Sequence, residues 1–260
     1  MNTPNLVVIT GNQLRHLYFV NQLNFHFPLS AVFTEHFEHP DTAFKKSEEK
    51  EGWNQFFIGR RKTEEYLLSC PDNIPAQHIP KFFDIETGCL NHDETLQAIQ
   101  SFSPTKIIIF GTSILDSKYL KLYPNYIFNL HVGLSQYYRG SSCNFWPIHE
   151  LRPDLLGATI HYVEKGIDSG QIIHQDTIQL EENDSEYILM VKTVILGTKL
   201  MIDSINKLHA NLPTKEEQNK KGKLYLIKHF TPQAVLKVRH LVTSGSLKQK
   251  IAEENRHRRQ

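Results

Sequence analysis

Lys106-Ile107-Ile108-Ile109-Phe110-Gly111 is the stretch on which the fold turns. A short, continuous apolar run that ends in glycine reads as a strand buried on both faces, the form strands take in helix-covered parallel sheets. Leu6-Val7-Val8-Ile9, with Gly11 just beyond, has the same form, and Tyr126 to Leu130 repeats it. Ala31 to Phe33 reads as a further short strand. Between the first two, Asn12 to Leu23 carries Leu14, Leu17, Val20 and Leu23 at helical spacing. Strands separated by helical stretches predict an α/β fold with a mostly parallel sheet covered on both faces.

Further along, the texture changes. Ala158 to Val163 and Gln171 to Leu180 alternate as a strand pair would, and Ser185 to His209 is a long helical pattern. Asp184 or Ser185 is placed to cap that helix, and Pro213 lies past its end. From Lys215 the chain turns polar, with a strand-like run at Leu224 to Ile227, a helical Gln233 to Leu241 and a basic tail at Arg256-His257-Arg258-Arg259. Two parts are expected: residues 1–210 as the main domain and 211–260 as a small carboxyl-terminal module or tail. Thr34 to Cys70 is longer than an ordinary strand-to-helix connection; it runs through Lys45 to Glu51 into a helical pattern with Trp53, Phe56, Phe57, Tyr66 and Leu67. It reads as a lid or binding loop, or equally as a solvated helical excursion with one packed aromatic face.

Composition narrows the class. The 260 residues are 40% hydrophobic and 22% charged, an ordinary globular balance, and the net charge of +1 supplies no field for nucleic acid or membrane. No stretch approaches the roughly 18 apolar residues of a membrane span. Cys70, Cys89 and Cys143 are odd in number and show no C-x-x-C spacing, which suits a reducing compartment such as the cytoplasm. Fourteen histidines form neither H-E-x-x-H nor H-x-x-E-H, so no catalytic metal is expected. Gly11-Asn12-Gln13-Leu14-Arg15-His16 stands where a dinucleotide enzyme would carry G-x-G-x-x-G, and NAD or FAD is not expected. Arg15 and His16 lie at a helix start near the carboxyl edge of the sheet. That is a natural place for a substrate phosphate, although a surface salt bridge would account for them as well.

The chemistry gathers around Phe128-Asn129-Leu130-His131. Side chains alternate along a strand, so Asn129 and His131 share a side at its carboxyl end, where open α/β sheets place their sites. Downstream come Tyr138-Arg139-Gly140, Trp146, Gly157-Ala158-Thr159-Ile160-His161 and Gly166-Ile167-Asp168-Ser169-Gly170. With Gly133, these residues give the order and spacing of N-x-H-x-[SG]-x-x-P-x-Y-R-G, G-x-T-x-H and G-x-D-x-G-x-I. The chain thus resembles the formyltetrahydrofolate-dependent formyltransferase family over residues 105 to 180. The match is weaker over the opening strand. Gln136 stands where the family carries proline, a departure that removes no reacting group.

The resemblance implies a Rossmann-like formyltransferase fold and an N-formyltransferase using N10-formyltetrahydrofolate as co-substrate. It assigns Asn129 and His131 to the negative charge that develops on the formyl oxygen, and Asp168 to His131 and proton transfer. It also implies that Gly111-Thr112-Ser113-Ile114-Leu115, with Asp168, lines the folate site, largely through backbone groups. An ordinary turn with Ser113 capping the next helix is compatible with that. Arg139 either holds a substrate carboxylate or phosphate or braces the Asp168 loop.

Within the family, methionyl-tRNA formyltransferases are longer, with a carboxyl-terminal barrel and a basic tRNA-facing surface. Here about fifty residues follow the long helix and net charge is near zero. The expected acceptor is therefore a small nucleotide-linked amino sugar of a surface-polysaccharide or nonulosonate pathway, with no nucleic acid or membrane partner; a homodimer is compatible with the polar carboxyl-terminal segment. The alternatives are a methionyl-tRNA formyltransferase-like enzyme and a non-catalytic folate- or nucleic-acid-binding module.

Overall fold

The computed structural model of the protein describes residues 5–37, 42–69, 79–209, 216–218 and 221–257. Seven strands make one sheet: β1 (Leu6–Gly11), β2 (Leu29–Glu35), β3 (Lys81–Ile85), β4 (Lys106–Phe110), β5 (Ile127–His131), β7 (Gly157–Tyr162) and β8 (Ile172–Thr177), in the order β3-β2-β1-β4-β5-β7-β8. Pairing is parallel from β3 to β5 and antiparallel from β5 through β7 to β8. A two-stranded parallel ribbon, β6 (Tyr138–Gly140) with β9 (Lys223–Tyr225), stands beside it.

The strands are continuous apolar runs because both faces are covered. Leu6 and Val8 of β1, with Ile108 of β4, join a core under α1 (Leu14–His26) and α6 (Glu186–His209). Val7, Ile9, Ile107 and Ile109 alternate to the other face, under α3 (Asp93–Gln100) and Tyr119 of α4 (Ser117–Leu122). The expected strand pair at the sheet's far side is β7 with β8. The long helix is α6, where Ser185 Oγ accepts the Ile188 N–H as its cap and Asp184 turns to Lys192.

A second core differs in composition. Phe56 of α2 (Ser47–Leu68) meets Phe145 and Trp146, the latter in α5 (Trp146–His149), together with Tyr225, Val235 and Val238 of α7 (Pro232–Thr243), and Leu247 and Ile251 of α8 (Ser246–His257). Of the two readings of this stretch, α2 is the helix with one packed aromatic face, lying against the carboxyl-terminal helices; only Tyr66, read as part of that face, points outward. The stretch read as a polar tail is also structured. Residues 246–257 form a helix, because Leu247 and Ile251, four apart on one face, are enough to anchor it. Arg258 and Arg259 of the basic tail, Cys70, and Glu38, His39 and Pro40 lie outside the described residues.

Two local expectations also change. Asp116, not Ser113, caps α4 by accepting the Lys118 N–H at 2.7 Å. The edge strand β3 has no counterpart in the sequence reading.

Candidate active site

β5 ends between β4, parallel, and β7, antiparallel, and this register builds the site. Asn129 pairs across the strands with His161, and His131 with Thr159. Asn129 and His131 do project to one side, and His161 joins them from the neighbouring strand. Asn129 Nδ2 lies 3.0 Å from His161 Nε2, while His161 Nδ1 lies 2.8 Å from the Tyr162 carbonyl. A carbonyl only accepts, so His161 Nδ1 carries a proton and donates it there, while Nε2 faces both the Asn129 amide and Asp168.

Asp168 closes the cluster from the loop between β7 and β8, with φ at +47°. Its Oδ2 accepts the Gly140 N–H at 2.7 Å and lies 3.3 Å from His131 Nδ1. Its Oδ1 accepts from Asn129 Nδ2 at 3.2 Å and lies 3.4 Å from His161 Nε2. Burial works against this carboxylate, but His131, His161 and the Gly140 N–H together hold it well below the usual carboxylate range. Burial pushes the His131 imidazole below its ordinary value, and Asp168 opposes that push. His131 Nε2 donates to the Tyr138 carbonyl at 2.9 Å, so in the neutral ring the Nδ1 lone pair faces Asp168. One proton delivered to this pair converts a poor contact into an ion pair; it titrates as a unit.

The loop that seats Asp168 is held by Gln218, which belongs to no motif, and by Arg139 of the Tyr-Arg-Gly triplet. Gln218 donates to the Asp168 and Gly170 carbonyls at 3.1 and 2.7 Å. Arg139 Nε donates to the Gly222 carbonyl at 2.9 Å and Nη1 to the Ile167 carbonyl at 3.2 Å, so of its two readings the geometry is that of the brace. Gly140 sits at φ +92°, and a Cβ there would stand 2.1 Å from the Tyr225 carbonyl.

On the other side of β5, the loop Gly111-Thr112-Ser113-Ile114-Leu115 leaves β4 with Gly111 at φ +68°. The Ser113 N–H donates to Glu35 Oε2 at 2.7 Å, and Asn91 takes both the Ile114 carbonyl and the Asp116 N–H at 2.9 Å. Thr112 turns its hydroxyl to the Ser113 carbonyl; Ile114 is exposed and Leu115 is buried. Glu35 is itself buried, and its Oε1 has no hydrogen-bond partner among the described residues. Glu35 and Asn91 escaped the sequence reading, since an acid after a strand and an asparagine in a turn have many ordinary roles.

Arg15 and His16 are brought to the same sheet edge but not to an open surface. Arg15 is paired with Glu64 of α2 at 3.1 Å, and Glu64 also holds Arg60. The His16 ring is 5% exposed, its Nδ1 accepts the Gln13 N–H, and its edge packs on Phe110 and fills the space a Gly111 side chain would need. Burial, with Arg15 and Arg60 close by, pushes His16 far below its ordinary pKa. The unfolded chain therefore binds a proton near pH 6.5 that the folded chain refuses. Stability is unaffected by this group above that pH and falls below it, by up to about 1.4 kcal/mol per pH unit. Denaturant melts from pH 7.5 to 5 should show this slope, and His16→Gln should flatten it; a slope unchanged in the variant would remove His16 as its source.

No group of three His, Cys, Asp or Glu side chains placed to hold a metal ion occurs among the described residues. No described helix is long and apolar enough to cross a membrane. Cys89 and Cys143 are free thiols.

The comparisons with known proteins agree with this architecture. The solved formyltransferase of Anoxybacillus kamchatkensis, in complex with UDP-4,6-dideoxy-4-formamido-L-AltNAc and tetrahydrofolate, is 19% identical, with TM-score 0.51 over 95% of this chain and 97% of that one. A phosphoribosylglycinamide formyltransferase of Anaplasma phagocytophilum is 13% identical, with TM-score 0.59 over 86% and 99%. At these identities the likeness is one of fold. Among sequence relatives, the methionyl-tRNA formyltransferase of Halothermothrix orenii is 29% identical over 150 residues, 55% of this chain and 46% of the relative. That of Kosmotoga olearia is 30% identical over 143 residues, 52% and 45%. The chain spans about half the length of the curated relatives it matches. The formyl transferase family model matches residues 39–205, a span that holds β5, β7 and the Asp168 loop. By that match the chain belongs to the formyl transferase family.

Proposed function

We propose that the protein is an N-formyltransferase that moves the formyl group of N10-formyltetrahydrofolate to the amine of a nucleotide-linked amino sugar. The observation that carries the transfer is the convergence of Asn129, His131 and Asp168 in one buried network at the carboxyl end of β5. The acceptor nitrogen bonds to the formyl carbon, the bond from that carbon to N10 breaks, and the proton lost by the amine ends on N10. Negative charge passes through the formyl oxygen. Asn129 meets it by exchanging the longer of its two Nδ2 bonds, that to Asp168. Both nitrogens of His131 have partners, so a bond from His131 to the oxyanion would replace one of them. Its geometry favours service with Asp168 as the proton's holding place. Gly111 to Leu115, fixed by Glu35 and Asn91, would receive the pterin, whose edge suits main-chain donors and acceptors.

The reading as a sugar enzyme is supported by the near-balanced charge and by the nucleotide amino sugars bound in similar folds, including the UDP sugar above. A reducing compartment, the cytoplasm, is consistent with the free thiols. A methionyl-tRNA acceptor is the second reading, favoured by the sequence relatives. Product formation should be measured with UDP- and dTDP-linked 3-amino and 4-amino dideoxy sugars beside methionyl-tRNA. Formylation is expected of a nucleotide sugar and not of the free amino sugar; formylation of the tRNA alone would overturn the acceptor and leave the transfer standing. No transfer to any amine would overturn both.

A further inference from the structure

Behind the β6–β9 ribbon, between α5, β9 and the first turns of α7, lies an open cavity of about 610 Å³. Lys223, Lys228, Lys237, His149 and His229 line it, and no aspartate or glutamate does. Lys223 is engaged by Glu150 at 2.8 Å, but Lys228 and Lys237 have no ion-pair partner among the described residues. The carboxylates close by are already occupied: Glu150 also takes the Tyr225 and Tyr138 hydroxyls, and Glu49 takes the Gln233 amide. His149 Nδ1 is buried without a hydrogen-bond partner. Burial and then Lys237 and Lys223 push the pKa of the same imidazole down, and Glu150 opposes them. Cationic side chains that converge on a hollow whose neighbouring carboxylates are already engaged repel one another, and an anion seated among them relieves that repulsion.

The wall decides what kind of anion. Trp146 and Tyr225 stack on each other at 4.1 Å between ring centroids, and both are buried, so neither offers a face to a base. The wall is largely apolar, and its polar groups are the lysine ammonium groups, the imidazoles of His149 and His229, the Gln233 amide and the Thr231 hydroxyl, a set that suits a compact, multiply charged oxyanion.

We infer that this cavity is a second ligand site, which binds a small phosphorylated molecule through its phosphate or diphosphate. It is separated from Asp168 by the β6–β9 ribbon, whose Gly140 gives its N–H to Asp168 on one side while Tyr225 forms the wall on the other. The inference does not depend on the catalytic reading, and its test contains no folate and no formyl acceptor.

The full chain is titrated with inorganic pyrophosphate, then with UDP, by calorimetry at low and at moderate salt. Saturable one-site binding that weakens as salt rises is expected, and Lys228→Gln and Lys237→Gln should each weaken it by about tenfold. Both lysines are exposed, so the variants should melt with the wild type. UDP binding as pyrophosphate does would mark a site for free phosphates; UDP binding more tightly, with the same dependence on the lysines, would mark one for the diphosphate of a nucleotide. As a second measurement, pyrophosphate should shift the ring resonances of His149 and His229. Absence of saturable binding, unchanged affinity in the double variant, or histidine resonances that do not move would each overturn the site.

Discussion

An Asp168→Asn protein is expected to turn over about a hundredfold or more slowly than the wild type while remaining folded. The asparagine keeps the size of the side chain and still accepts the Gly140 N–H, so the loop retains its shape. What is lost is the charge. In the wild type, His131, His161 and the Gly140 N–H hold the carboxylate ionised against the penalty of burial. His131, already pushed toward neutrality by burial, depends on that charge for its affinity for a proton. Without it, the proton released by the attacking amine has no holding place. His131→Ala should show a comparable loss, and Asn129→Ala one of about a hundredfold through the oxyanion. Single-turnover kinetics with N10-formyltetrahydrofolate separates the chemical step from binding. Asp168→Asn or His131→Ala with near-normal turnover, in a protein whose melting is unchanged, would remove the proposed mechanism.

Gly140→Ala should damage the fold around the site, because it adds backbone strain to a steric clash. At φ +92° an L-residue costs about 1–2 kcal/mol, and a methyl 2.1 Å from the Tyr225 carbonyl forces backbone apart at a further cost of about 1–3 kcal/mol. Together these amount to roughly 3 kcal/mol, a fall in melting temperature of roughly ten degrees for a chain of this size. The same shift separates β6 from β9 and moves the N–H that Asp168 accepts, so turnover should fall with stability. A melting temperature within two degrees of wild type (about half a kcal/mol) would show that the ribbon yields at little cost.

How far the sequence could be read follows from where each signal comes from. β1 and β4 were plain because burial on both faces demands unbroken apolar runs, and Asn129 and His131 because a strand has a period of two. β3 was not, because it is an edge strand with Lys81, Phe82 and Asp84 turned outward and only Ile85 buried. α8 was not, because two apolar residues in a polar stretch are enough to dock a helix that has a core waiting for it. In the candidate site, Asn129, His131 and Asp168 were named from their motifs and His161 was quoted without a role, whereas Glu35, Asn91 and Gln218 were missed. Each serves by grasping backbone 78, 23 or 50 residues away, and a contact of that span leaves no local pattern. Arg15 and His16 were seen at the right edge of the sheet, but Glu64, which takes up Arg15, lies 49 residues further on.

The distance between Gln218 and the loop it clasps has a consequence for synthesis. When β8 has left the ribosome, every strand of the main sheet exists and Asn129, His131 and Asp168 have all been translated. The clasp on the Asp168 and Gly170 carbonyls, and the Gly222 carbonyl that anchors Arg139, arrive only after the whole of α6. At roughly 5–20 residues per second the nascent chain spends some seconds with its sheet made and its carboxylate loop unclasped. The Asp168 loop is thus fastened by chain made only after α6, and a molecule interrupted at α6 would hold Asn129, His131 and Asp168 without that fastening.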